Sequence, residues 1–218
     1  MLDVVAALRA VRDPPKAVGM EAYMRGQFAF LGVSAPQRRA ATTPLFRAFR
    51  PESPWELIKV AQMLWHMRER EFQYVGVDLL GRYRKILRPD ELEPLLVLLQ
   101  EKPWWDSVDG LAGVVGSVVR RYRDKGQSVM DEAINSESFW IRRMAILHQL
   151  GWRGDTDANR LYSYAKQLGA EKELFIQKAI GWALRDFARH DPQAVCRFLS
   201  RAESSLSVLS VREARRHL

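Results

Sequence analysis

The chain has 218 residues, of which 47% are hydrophobic and 28% charged, a balance typical of a folded globular protein and not of a disordered one. Its longest apolar run, residues 95–99, is too short to cross a membrane, and a single cysteine excludes an intrachain disulfide framework or a thiolate-rich zinc site. The sequence begins with no basic leader or apolar signal segment, so we expect a cytoplasmic protein.

The charge is strongly basic and unevenly distributed. The net charge is +8, and 26 of the 34 basic residues are arginine, whose planar fork of donors suits phosphate oxygens. Residues 1–50 hold 8 bases and 3 acids, and residues 151–218 hold 12 bases and 8 acids, whereas the middle of the chain is nearly neutral. This pattern favours a polyanionic partner such as nucleic acid, and the alternative is solvated surface charge.

Helical spacing of apolar residues extends along nearly the whole chain. Breaks at proline or glycine separate the segments, and no stretch alternates for long enough to predict a strand. We therefore predict one all-α domain over residues 1–218. The predicted helices cover residues 21–31, 55–65, 71–87, 104–122, 139–152, 161–168 and 174–187.

An internal repeat organises these helices. The segments that start at Phe139 and Leu174 have matching aromatic, isoleucine and basic positions at an offset of 35 residues. Trp105 lies 35 residues before Trp140, and Phe72 lies 33 before Trp105. This period predicts a superhelical solenoid of stacked antiparallel helix pairs with a concave binding face. The alternative is a helical bundle with chance aromatic spacing.

Several enzyme motifs are absent from the sequence. It has no phosphate-binding loop, no GxGxxG, no HExxH and no GxSxG, and its four histidines lie far apart. We therefore expect neither a metal nor an organic cofactor.

Two segments could carry chemistry. Asp109 follows Trp105 by four residues, so a carboxylate and an indole share one helix face, a pair that suits a planar cation. Further on, Lys178, Trp182 and Arg185 form a stripe of base, indole and base. The alternative for both segments is that the tryptophans belong to the core while the charged side chains are solvated.

These segments resemble one family. The runs WWDSVD from Trp104, WIRR from Trp140 and FIQKAIGWALR from Phe175 are similar to those of the AlkD-type DNA alkylation-repair glycosylases, and the resemblance extends from about residue 20 onwards. It implies a superhelix of HEAT-like helix pairs with a concave, basic DNA-binding face. It also implies a monomeric, monofunctional glycosylase of the bacterial nucleoid that excises N3- and N7-alkylated purines from duplex DNA without a base-flipping pocket.

The resemblance also implies roles for individual residues. Asp109 matches the catalytic carboxylate, and Trp105 and Trp182 match two tryptophans that hold the lesion-bearing nucleotide. The residues that match or could supply DNA contacts are Arg143, Tyr23, Lys178, Arg185, Arg38 and Arg39. A non-catalytic HEAT-like protein that binds damaged or branched DNA is the alternative, and the preferred lesion stays open.

Overall fold

A computed structural model describes residues 2–218, except for the side chains of residues 2, 203 and 217. These residues form thirteen α-helices and no β-strand, with one isolated bridge between Ala29 and Glu69. The predicted all-α class is therefore confirmed. The chain divides into two compact units, one ending at Leu87 and the other beginning at Arg88, and the expected single domain stays a prediction.

The first unit contains five helices packed around aromatic and aliphatic side chains. Trp65 and Phe72 are fully buried where the fourth and fifth helices pack together. Asp13 and Ser53 accept hydrogen bonds from backbone N–H groups of the first helical turn, and a proline follows each of them, which explains why helices begin there. The helices are α1 (Leu2–Ala10), α2 (Pro14–Tyr23), α3 (Ala35–Ala48), α4 (Pro54–Trp65) and α5 (Arg70–Tyr83).

The helix predicted for residues 21–31 is wrong. Helix α2 ends at Tyr23, and residues 24–34 form a loop in which Gly32 has a φ of +83°. The carboxylate of Glu71, fully buried on α5, accepts hydrogen bonds of 2.9–3.1 Å from the backbone N–H groups of Leu31, Gly32 and Val33. This carboxylate satisfies the donors that a helix would have paired internally, which allows the loop to be packed.

The second unit contains the remaining eight helices in two rows. Helices α7, α9, α11 and α13 contact one another in succession, and α6, α8, α10 and α12 pack against them. A Cβ atom at Gly116 of α7 would lie 1.9 Å from the carbonyl oxygen of His148, so the glycine permits a close approach of α7 and α9. The helices are α6 (Leu92–Gln100), α7 (Trp105–Arg121), α8 (Arg123–Ala133), α9 (Phe139–Leu147), α10 (Ala158–Gln167), α11 (Leu174–Ala188), α12 (Pro192–Ala202) and α13 (Val208–Ala214).

The sequence repeat corresponds to helices of one row. Trp105, Phe139 and Leu174 are the first residues of α7, α9 and α11. The repeated positions therefore lie at equivalent places on neighbouring helices. Two of the predicted helices are longer than the observed ones. The helix predicted for residues 71–87 ends at Tyr83, and the one predicted for residues 139–152 ends at Leu147.

Candidate active site

Asp109 lies on α7, one turn after Trp105, which begins the helix. Both side chains are partly exposed, whereas the next face of the helix, including Val108 and Leu111, is fully buried. Trp105 and Asp109 therefore lie at the edge of the packed core, where an outside molecule can reach them.

Arg143 of α9 holds the Asp109 carboxylate through two parallel hydrogen bonds. Its Nε donates to Oδ1 and its Nη2 donates to Oδ2, each at 2.7 Å, which is the bidentate geometry of a strong ion pair. The Arg143 side chain is 1% exposed and that of Asp109 is 24% exposed. The third nitrogen, Nη1, donates to the backbone carbonyl of Phe175, so every nitrogen of the guanidinium is bonded within the protein. Arg143 therefore holds the carboxylate in place, while part of the Asp109 side chain stays exposed to solvent.

The pKa of Asp109 is raised above its ordinary value. Burial is the largest cause, because it disfavours the charged form, and the hydrogen bonds and positive charge of Arg143 oppose it. A partly desolvated carboxylate interacts more strongly with a nearby cation than a solvated one does. It is also a better proton acceptor.

Trp182 of α11 is the third member of the cluster, because its ring contacts the guanidinium of Arg143. The guanidinium carbon of Arg143 lies 5.2 Å from the centroid of the Trp182 ring and 5.9 Å from that of Phe175. Arg143 therefore connects Asp109 with Trp182, and α7, α9 and α11 each contribute one member of the cluster. The sequence predicted all three residues but not that Arg143 is the partner of Asp109.

Glu213 of α13 is a site residue that the sequence analysis missed. Its Oε2 accepts a hydrogen bond of 3.2 Å from the indole Nε1–H of Trp182 and one of 3.0 Å from Nη1 of Arg185. Gly181 permits this contact, because a Cβ at that position would lie 2.4 Å from the Cβ of Glu213. No spacing rule connects Glu213 with a tryptophan 31 residues earlier, so only the packing of α13 on α11 brings them together.

The other predicted residues lie in different surroundings. Lys178 is half-buried on α11. In the first unit, Tyr23 is 72% exposed at the end of α2 and Arg39 is exposed on α3, as a contact with DNA would require. Arg38 is 8% exposed, bonds Asp78 at 3.0 Å and lies over the ring of Tyr74. The DNA contacts assigned to these residues stay predictions.

Within residues 2–218, no helix is long and apolar enough to span a membrane. No group of three or more histidine, cysteine or carboxylate side chains in this part of the chain could share a metal ion.

The helix pairs and the carboxylate–arginine–tryptophan cluster define an all-helical repeat protein with a candidate site at Asp109. The sequence profile described as "DNA alkylation repair enzyme" matches residues 4–218. The chain belongs to this family of DNA repair enzymes.

Solved structures agree with this assignment. A predicted DNA alkylation repair enzyme from Enterococcus faecalis is 32% identical with a TM-score of 0.85, over 95% of this chain and 96% of that one. Two Streptococcus mutans proteins share the fold. The protein smu.31 from strain UA159 is 18% identical with a TM-score of 0.63 (81% and 90% covered), and AlkD2 is 16% identical with a TM-score of 0.61 (81% and 87% covered). No curated protein matches the chain.

Proposed function

We propose that the protein is a monofunctional DNA glycosylase that hydrolyses the N-glycosidic bond of N3- and N7-alkylated purines in duplex DNA. The observation that carries this proposal is the Asp109 carboxylate, partly exposed and held by the bidentate bonds of the buried Arg143. A protein that only binds DNA has little use for a partly exposed carboxylate, because it places negative charge near the DNA phosphates.

The chemistry of these lesions suits a site with one carboxylate. An N3- or N7-alkylated purine is cationic, so it leaves as a neutral base with the electrons of the glycosidic bond, and no general acid is required. Positive charge then moves onto the deoxyribose as an oxocarbenium ion, the same kind of species that glycoside hydrolases stabilise. Asp109 would stabilise this cation and accept the proton of the water that adds to the sugar, for which its raised pKa is favourable.

Trp105 and Trp182 would hold the sugar and backbone of the lesion-bearing nucleotide. Their indole faces attract the developing cation by about 0.5–2 kcal/mol each. Because no base-flipping pocket is required, selectivity would come from the charge and lability of the lesion itself. Bulky adducts would then also be substrates.

We further propose that Glu213 positions Trp182. Its carboxylate accepts the indole N–H bond, which restricts rotation of the ring about the side-chain bonds. Contacts of Lys178, Arg185, Tyr23, Arg38 and Arg39 with the DNA backbone remain part of the proposal, and such contacts weaken steeply with salt.

Excision of 7-methylguanine from methylated duplex DNA tests the proposal, with undamaged DNA as the control substrate. We expect Asp109→Asn to bind DNA while its single-turnover rate falls by about 10²–10³-fold, the usual effect of losing one preorganised electrostatic group. Asp124→Asn is the control, because Asp124 is an exposed acidic residue of α8 that belongs to no part of the cluster. Excision by Asp109→Asn at the rate of the Asp124 control would exclude the catalytic role, and no base release by the wild type would favour the pure DNA binder.

A further inference from the structure

A groove lies between α10 and α12, two helices that contribute no residue to the Asp109 cluster. The groove encloses about 490 Å³. Each helix lines it with four residues at helical spacing, so each helix turns one whole face towards it. The lining residues are Asn159, Tyr162, Ser163 and Lys166 of α10, and Ala194, Arg197, Phe198 and Arg201 of α12.

Three of the eight lining residues are basic and none is acidic. Lys166, Arg197 and Arg201 are all exposed, and among the described residues none of them forms an ion pair with a carboxylate. Arg197 and Arg201 are four residues apart on one helix, an arrangement in which like charges repel each other. The nearby carboxylate of Asp191 accepts a 2.9 Å hydrogen bond from the backbone N–H of Ala194. Among the described residues, the three cations of the groove therefore have no carboxylate within ion-pair distance.

Two stacked aromatic rings form part of the groove. The rings of Tyr162 and Phe198 have their centroids 4.2 Å apart and their planes 8° apart, and the Lys166 ammonium lies 6.0 Å from the Phe198 centroid. The stack is therefore a direct packing contact between α10 and α12 within the lining of the groove.

We infer that this groove binds the phosphate backbone of a nucleic-acid strand outside the lesion site. Arg197 and Arg201 are separated by a rise of about 6 Å along α12, which is similar to the separation of successive phosphates on a strand. Arginine forks match phosphate oxygens, and the side chains of Asn159 and Ser163 add further donors. The inference rests on the groove alone and does not require the protein to be a glycosylase.

The salt dependence of binding to a short undamaged duplex tests this inference. We expect Arg197→Ala/Arg201→Ala to lower the slope of log K against log salt by about 1.8, because each phosphate contact contributes about 0.9. The matched control is Lys59→Ala/Lys125→Ala, which removes two exposed cations outside the groove. Thermal unfolding of both variants verifies that they are folded.

Two results would overturn the inference. One is a slope in the groove variant that equals that of the wild type, or that falls no further than in the control. The other is that the wild type binds inorganic pyrophosphate and the groove variant does not, while the salt dependence of DNA binding is the same in both proteins. That second result would assign the groove to a small anion.

Discussion

Replacing Arg143 by methionine separates the role of this residue in holding Asp109 from the DNA contact predicted for it. The substitution keeps most of the side-chain volume and removes both 2.7 Å bonds to the carboxylate. Breaking a buried ion pair by removing one partner typically destabilises a protein by about 3–5 kcal/mol. Because the Asp109 side chain is 24% exposed and partly screened by water, we expect the lower end, about 3 kcal/mol, in urea unfolding at neutral pH.

The pH dependence of excision gives the sharper measurement. Arg143 lowers the pKa of Asp109 against the effect of burial, so its removal raises that pKa further. If the ionised carboxylate is the active form, the acidic limb of the single-turnover profile moves to higher pH in Arg143→Met. Arg143→Lys keeps the charge but loses the fork, so we expect an intermediate shift. An acidic limb at the wild-type pH in both variants would contradict this account of the pair.

The salt dependence of DNA binding distinguishes the two roles of Arg143. Since every nitrogen of its guanidinium is bonded inside the protein, we expect Arg143→Met to leave the slope of log K against log salt unchanged. A slope lower by about 0.9 would instead show the phosphate contact that the sequence predicted.

Substitutions at Glu213 and His148 test the surroundings of the site and the stability of the fold. For Glu213, we expect Glu213→Leu to lower the excision rate of the otherwise wild-type protein. In a Trp182→Phe background we expect no such loss, because phenylalanine has no N–H to position. Glu213→Gln still offers an acceptor oxygen to the indole, so this variant should keep most of the wild-type rate. Equal losses in both backgrounds would mean that Glu213 acts on the fold and not through the indole. For His148, burial lowers the pKa from 6.5 to about 4, so the unfolded chain binds a proton that the folded one excludes. The free energy of unfolding should therefore fall as the pH drops from 6.5 to 4, by up to about 3 kcal/mol, and urea unfolding of His148→Gln should lack that part of the dependence.

Local spacing along one helix predicted much of the candidate site. Trp105 and Asp109 share a face because four residues nearly complete a turn, and the 35-residue offset placed Arg143 and Lys178 at equivalent positions. These inferences need only the geometry of one helix and of its repeat. They therefore required no knowledge of how helices cross.

Contacts between helices could not be predicted in the same way. The pair of Arg143 with Asp109 spans 34 residues, and that of Trp182 with Glu213 spans 31. Both depend on how closely helices approach, which glycines such as Gly116 and Gly181 determine. In the loop after α2, the apolar residues have helical spacing, but the backbone N–H groups bond to the carboxylate of Glu71 instead of forming a helix. Glu71 lies 40 residues after Leu31, so local spacing could not predict this contact.

The three N–H bonds accepted by Glu71 have a consequence for the order of folding. They connect chain segments about 40 residues apart, and closing a loop of that length has an entropic penalty of about 3 kcal/mol. Before α5 docks, only water can accept hydrogen bonds from the N–H groups of Leu31, Gly32 and Val33, so the packed form of this loop depends on Glu71. The segment and the helix thus become ordered together, and denaturants should release them as one cooperative unit.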